Sequence, residues 1–487
     1  MVVAIYFSLP FRFRQLFLLA AGYYFYMCFK PEYVIILAAS TLIDYFLGLR
    51  IDACPTQAGK KRLLVLGLIH NIGLLAALKY LDFFSQSISA LLKPFNILAE
   101  AKGLELLIPV GISYYTFKKI SYLIDVYRET REPEKQLSFF ALYVSFFPEI
   151  MAGPIDRAGA LIPQFRKETG FDYQRVTDGL KLMAWGFFKK LVIADRLAAF
   201  VDKVYGNPTH YEGLALMAAT IYFAFQVYCD FSGYTDIARG AGKVLGFDLV
   251  ENFNRPYFSK SIGEFWKRWH ISLSGWLMDY LFLPIAYSIS RHLKRPQLLK
   301  IKAETWAYMV GILSTMLLCG LWHGASWTFV IWGACHGLFL VVSFATKKTR
   351  KKIRKTLGIK KDSLTRNSFR VIFTFGIVTF AWIFFRADTL SDALYIVTHL
   401  FSGWSKVLTL SGFLGALHFG LLKKELAVAA ISVCFMLSVQ LLRKDDTFEQ
   451  AIAKQKPVLR WGFYLALILW IMVFGDAGAE NFIYFRF

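Results

Sequence analysis

Hydrophobic residues in this chain run in long blocks. Eleven blocks approach the roughly 20 residues that a helix needs to cross a hydrocarbon layer of about 30 Å. They are Leu16–Phe29, Tyr33–Leu49, Leu63–Phe84, Leu137–Met151, Leu180–Phe200, Gly213–Tyr228, Trp306–Leu321, Trp327–Phe344, Val371–Phe385, Leu426–Leu442 and Trp461–Phe474. The pattern predicts an all-α polytopic membrane protein with about eleven transmembrane helices. No internal repeat and no Gly/Ser- or Pro-rich linker divides it, so residues 1–487 are expected to form one membrane domain.

Composition agrees: 56% of the 487 residues are hydrophobic and only 18% are charged, against about a quarter charged in soluble domains. The net charge of +22 fits cytoplasmic loops under the positive-inside rule. It offers no basic face of a soluble fold for nucleic acid. The strongest basic blocks, Arg291–Lys302 and Lys347–Lys361, are expected on the cytoplasmic side, against anionic lipid headgroups. The six scattered cysteines contain no CxxC pair, which argues against a disulfide framework or a zinc site. The amino-terminal apolar run follows basic residues without a small-residue cleavage site and reads as a retained first span.

The two basic blocks flank Trp306–Phe344, so this segment should cross and return as a helical hairpin with "GLWHGASW" at its tip. The first arm, Trp306–Leu321, is about 24 Å long at 1.5 Å per residue. That predicts a tip stopping short of the far side, where His323 would need a polar partner or a water-filled cavity. Gly320 and Gly324 are read as leaving room beside His323, and Trp322 and Trp327 as walling a slot. In such a slot a neutral imidazole can take the proton of a hydroxyl attacking a thioester. Proton relay and helix packing are the competing readings. His70 and His336 lie on apolar runs and read as packed, hydrogen-bonded histidines, while His210, His292, His399 and His418 fall in or near loops.

Other polar residues interrupt the apolar pattern. Pro109 and Gly111 break Leu107–Arg128, and Pro148 and Pro154 bracket Glu149 in Phe146–Arg157. Breaks at membrane depth call for a cavity or surrounding protein. Gln226, Asp230 and Tyr234 share one helix face at four-residue spacing, and Asp236 and Arg239 stand three apart as a possible pair. Phe265, Trp266, Trp269 and Leu273 make one side of a predicted amphipathic interfacial helix, with tryptophans at headgroup depth and His270 at its end. Alone, His270 reads as an interfacial hydrogen-bonding residue. A transporter moving an acyl compound or glycan would also use broken helices and intramembrane charge, but the histidine and the missing inverted repeat favour an enzyme.

The ordered set "PVGISYYTFKKISYLIDVYR", "FFPEIMAGPIDR", "WGFFKKLVIADRLA", "DFSGYTDIARGAGKVLGF", "ENFNRPYFSKSIGEFWKRWHISLSGWLMDYLFLPI", "GLWHGASWTFVIWGACHG", "WIFFRADTLSDAL" and "FIYFRF" resembles the membrane-bound O-acyltransferase family, in its bacterial alginate O-acetyltransferase branch. The resemblance implies broken and re-entrant helices around a central tunnel, in a multi-pass protein of the bacterial cytoplasmic (inner) membrane. It implies that His323, the LWHG histidine, is catalytic and that His270 is a second recurring polar position that orients it or polarises the thioester. It places Trp322, Trp266, Trp269, Asp230, Tyr234 and Asn254 at the tunnel or the substrate. No bound cofactor or metal is implied. Acetyl-CoA, or an acyl-carrier thioester, is the expected donor substrate, a cell-surface polysaccharide the expected acceptor, and a periplasmic SGNH-type acetyltransferase the expected partner. D-alanyl transfer to teichoic acid, and acylation of lipid or protein, are the alternatives within the family. Two departures stand out. "MVVAIYFSLPF" is too short to supply the additional apolar helix with which relatives begin, so the start is expected to be trimmed. "DYLFLPIAYSISRHLKR" lacks the Gly-Gly-Asn-Arg turn of the alginate type, so another surface glycan is as good an expectation for the acceptor.

Overall fold

The structure, a computed structural model, describes residues 1–95, 109–293, 297–298, 301–358, 360, 363–404, 423–443, 447–475 and 482. His418, the first two residues of the Leu107–Arg128 stretch, parts of both basic blocks and all of the terminal "FIYFRF" except Phe482 lie outside the described residues. The described chain is helical almost throughout. Its one extended pairing is a two-residue ribbon, Gln297–Leu298 against Ile301–Lys302.

Helices run in chain order as α1 (Val2–Ser8), α2 (Phe11–Met27), α3 (Glu32–Ala53), α4 (Gln57–Leu75), α5 (Leu81–Leu92), α6 (Ile112–Tyr127), α7 (Leu137–Ser145), α8 (Ala158–Phe165), α9 (Tyr173–Phe187), α10 (Asp195–Gly206) and α11 (Leu214–Leu245). They continue as α12 (Ile262–Trp266), α13 (Ile271–Leu277), α14 (Leu283–His292), α15 (Ala303–His323), α16 (Trp327–Ala345), α17 (Lys347–Thr356), α18 (Leu364–Arg386), α19 (Leu390–His399), α20 (Lys423–Arg443), α21 (Phe448–Ala453) and α22 (Pro457–Phe474). Wider π turns join α4 to α5 (Ala76–Tyr80), α9 to α10 (Phe188–Ala194) and α13 to α14 (Met278–Phe282).

Seven helices among the described residues are long and apolar enough to cross a membrane, with Ala427–Arg443 as a shorter apolar helix. The expected eleven are not reached. Leu137–Met151 falls short because its helix stops at Ser145, where the chain turns ahead of Pro148; nine residues give only about 14 Å. The Leu180–Phe200 block is divided between α9, a π turn and α10.

The chain divides into two compact units, Met1–Met183 with Ala238–Val250, and Ala184–Ile237 with Glu251–Phe487. In the first, α3, α4 and α6 pack on one another and α2 packs on α7. The two proline-broken stretches meet there. Gly111 takes a left-handed φ of 74°, and a side chain on it would run into the carbonyl of Ile150. Close by in this unit, Lys118 forms a buried ion pair with Glu149 and donates to the Tyr143 carbonyl at 3.1 Å.

The second unit is built on the α15–α16 hairpin, with α18 packed on α16. His323 is the last residue of α15, and the turn closes when the Ser326 hydroxyl caps α16 by accepting from the Thr328 N–H at 3.3 Å. The arms touch through glycine, as small residues allow: Gly333 has its Cα within 3.2 Å of where a Cβ on Gly320 would stand. The first arm is longer than the sequence reading gave. Its 21 residues make about 31 Å, enough to cross the hydrocarbon layer. The helix starts three residues earlier, at Ala303, because the polar Glu304 and Thr305 hid its first turn from hydropathy, and it runs on through Trp322 and His323, so arm length gives no reason for the tip to stop short.

Candidate functional site

All eight residues singled out in the sequence fall in the second unit. His323 is 5% exposed and enclosed by aromatic rings. Its neighbour Trp322 lies 4.7 Å away between ring centroids, Trp332 of α16 stands edge-on at 5.0 Å and 87°, and Phe385 of α18 lies at 5.1 Å. Trp332 stacks in turn on Trp382 at 5.7 Å and 21°. The expected slot between Trp322 and Trp327 is therefore corrected. Trp327, the first residue of α16, is 54% exposed, and Trp332 takes its place. The glycines do not leave space either. A side chain at Gly320 would meet the Phe329 carbonyl, and one at Gly324 the Phe329 ring. They allow close approach of the hairpin arms.

His270 lies at a break, not at the end of an interfacial helix. The predicted helix splits into α12 and α13, and His270 sits between them at a left-handed φ of 44°. Histidine is among the few residues enriched in that region outside glycine. The Asn252 carbonyl accepts from the Ile271 N–H at 3.0 Å, its side-chain oxygen accepts from the Ser272 N–H at 3.0 Å, and the Asn254 N–H donates to the Arg268 carbonyl at 2.9 Å. These bonds fix the turn and give Asn254 a bracing contact. Phe265, Trp266, Trp269 and Leu273 are buried in the unit, so they do not form the exposed apolar face of an amphipathic helix. Trp266 donates from Nε1 to His336 Nδ1 at 3.3 Å, the hydrogen bond that the packed-histidine reading of His336 required.

The His270 ring is fully buried, edge-on to Phe231 at 4.7 Å. Neither of its nitrogens has a hydrogen-bond partner among the described residues. Burial pushes its pKa well below the ordinary 6.5, so the ring is neutral. Trp322 stands 6.3 Å from His270 and 4.7 Å from His323, so the two imidazoles lie within about 11 Å of each other with an indole alongside both.

The face of α11 carrying Asp230 and Tyr234 is an ionic seam. Lys190 bridges Asp195 at 2.7 Å and Asp230 at 2.9 Å. Burial opposes its charge, but the two carboxylates outweigh that and raise the ammonium pKa. Next to it, Lys189 contacts Asp236 at 2.7 Å and Ser232 at 3.0 Å, so Asp236 has a lysine partner that the sequence reading did not foresee. Tyr234 stacks on Phe482 at 4.9 Å. A small cavity of about 20 Å³ opens beside this seam, with Lys189, Arg255 and Arg443 in its wall together with Asp236, Gln440, Tyr228 and the stacked pair Trp185–Phe448. Phe253 lines the cavity and also stacks on His270 at 6.4 Å. Sequence reasoning missed the three cations. The signal available was the adjacent Lys189–Lys190 pair, because consecutive lysines in an apolar run need carboxylates opposite them.

Chemically, the arrangement is a buried histidine enclosed by aromatic rings, a second neutral imidazole nearby, and a cation-rich cavity. A profile of the membrane-bound O-acyltransferase family matches residues 134–387. The chain is 37% identical over 406 residues to the probable alginate O-acetylase AlgI of Azotobacter vinelandii, covering 83% of this chain and 76% of that one. It is 33% identical over 413 residues to the peptidoglycan O-acetyltransferase of Helicobacter pylori, covering 79% and 73%. It is 27% identical over 278 residues to the teichoic acid D-alanyltransferase of Bacillus subtilis, covering 57% and 68%.

Proposed function

Because the chain belongs to the membrane-bound O-acyltransferase family and is a multi-pass membrane O-acyltransferase, we propose that it moves an acetyl group from cytoplasmic acetyl-CoA to hydroxyls of a bacterial cell-surface polysaccharide, with His323 as the base. The observation that carries this reading is the setting of His323. It ends α15 at the hairpin turn, inside three aromatic rings, and keeps a small exposure where His270 and His336 have none.

In this mechanism the ring nitrogen of His323 takes the proton from the attacking hydroxyl as its oxygen bonds to the thioester carbonyl carbon. The carbon–sulfur bond then breaks, and the imidazolium returns the proton to the departing thiolate. Trp322, Trp332 and Phe385 keep out water that would otherwise hydrolyse the thioester. His270 is neutral and acts by orienting Trp322 or by donating to the carbonyl oxygen. Trp266 and Trp269 hold the wall behind it, while Asp230, Tyr234 and Asn254 hold the chain in position. Lys189, Arg255 and Arg443 suit the phosphates of a CoA-type donor. The acceptor hydroxyl belongs either to the polymer or to a serine of a periplasmic SGNH-type partner that relays the group. The cytoplasmic membrane is the proposed location, since both substrates are then within reach.

The test is release of free thiol from acetyl-CoA by the purified protein in nanodiscs, with acceptor polymer and partner supplied. Wild type should release thiol in step with acetylated polymer, and His323→Ala should release none above background. Full activity in His323→Ala refutes the role of the imidazole. Activity only with a D-alanyl carrier thioester replaces the acetyl reading.

A further inference from the structure

The first unit holds a polar cluster that the proposed reaction does not use. Near the middle of α3 stands Asp44, in α4 Asn71, and in α6 Lys119, all with no exposed surface. Asn71 Nδ2 donates to Asp44 Oδ1 at 2.8 Å and to the Gly67 carbonyl at 2.9 Å. Lys119 Nζ stands 3.1 Å from Asp44 Oδ2, near enough for charge attraction. It also lies 5.3 Å from the ring centroid of Tyr115. Yet Asp44 Oδ2, Lys119 Nζ, Asn71 Oδ1 and His70 Nε2 are all buried, and none has a hydrogen-bond partner among the described residues.

Two polar atoms without a hydrogen-bond partner, Asn71 Oδ1 and His70 Nε2, beside an ion pair whose 3.1 Å contact falls outside hydrogen-bond geometry, are far from the ordinary outcome for buried groups. What would satisfy them is constrained by their chemistry. Asn71 Oδ1 needs a donor, while the ammonium of Lys119 has three N–H groups and only Asp44 Oδ2 facing it. A metal cation is disfavoured by Lys119, and an anion by Asp44. Water supplies two donors and an acceptor at once and is the usual partner of such groups. From this geometry we propose that the first unit binds ordered water inside the membrane, held by Asp44, Asn71 and Lys119 with His70 at its edge. The water completes an ion pair that pins the register of α3, α4 and α6.

The test is hydroxyl-radical footprinting of the full chain in nanodiscs, with Tyr115 and Tyr122 compared. Both tyrosines have no exposed surface, but the Tyr122 hydroxyl is occupied, accepting from the Glu134 N–H at 3.0 Å. Bound water beside Lys119 should label Tyr115 several-fold faster than Tyr122, and Lys119→Met should remove the difference. Equal labelling of the two tyrosines in wild type overturns the water site. The pinning role is read from stability. Lys119→Met alone should melt lower than Lys119→Met/Asp44→Leu, because the single change strands a carboxylate that the double change removes. If the double variant melts no higher than the single, the pin is refuted. Should neither variant fold, the wild-type labelling still decides the water site.

Discussion

Replacing Gly320 with alanine tests whether the hairpin holds His323 in place by backbone contact. The added Cβ would stand more than 1 Å inside the 3.4 Å at which ordinary contact begins, against the Phe329 carbonyl oxygen of the opposite arm. Because the obstacle is backbone, no rotamer change relieves it, and α15 and α16 must part by roughly 1 Å. Such overpacking costs about 1–3 kcal/mol of stability, which the rest of the second unit should absorb. Gly320 lies one helical turn before His323, so the imidazole moves with it relative to Trp332 and Phe385, now at 5.0 and 5.1 Å. A displacement of that size at a reacting group lowers rate by about 10²-fold, or roughly 2.7 kcal/mol of barrier. The assay is the initial rate of acetyl transfer in nanodiscs, read beside the melting temperature. Gly376→Ala on α18 is the control, since a Cβ there meets nothing within 4 Å, and it should leave both readings unchanged. A folded Gly320→Ala protein working at the wild-type rate would refute the idea that arm contact sets the position of the histidine.

Other consequences are equally direct. Lys190→Met removes the cation that bridges the buried Asp195 and Asp230 and should cost about 3–5 kcal/mol in unfolding measurements; adding Asp195→Asn should restore part of it. His270→Gly should melt higher than His270→Ala, because only glycine takes a φ of 44° without strain, while neither should transfer acetyl at the wild-type rate. The same histidine gives a pH dependence. Its folded pKa is depressed by burial, so the unfolded chain binds the proton more readily, and stability is lost as pH falls below the ordinary 6.5. Melting curves across that range should flatten in His270→Phe, and an equal slope in the variant would assign the acid sensitivity elsewhere.

His323 was legible in the sequence because a polar ring between two apolar arms is costly, and the basic blocks on either side fix the hairpin. Its enclosure was not legible. Trp332, Trp382 and Phe385 sit in α16 and α18, where they read as ordinary apolar positions, and only the packing of those helices brings them to the imidazole. Trp327 drew notice by standing near His323 in the chain, yet five positions of helix separate the outward Trp327 from the inward Trp332. The break at His270 was hidden for a related reason. Spacing places Phe265, Trp266, Trp269 and Leu273 on one side, but that side is kept by two short helices and a left-handed residue, and the enrichment of histidine in that conformation is too weak a mark to place a break. The α3–α4–α6 ion cluster was missed because Asp44 is a single charge in an apolar run, while the adjacent Lys118 and Lys119 give no sign in the sequence that one faces Glu149 and the other Asp44.

The π turn at Phe188–Ala194 holds both Lys189 and Lys190, the two cations that grip α11. Such a stretch accommodates one residue more than a regular helix would in the same length. Deleting a single residue within it would let ordinary winding return in the same length and leave the helices on either side in place, but it would remove or turn aside one of the residues that the wider turn presents to α11. Asp195 and the lysines could not then both keep their partners. Shortening this chain by one residue in that stretch should therefore do more harm than most single substitutions elsewhere, although no backbone hydrogen bond need be lost.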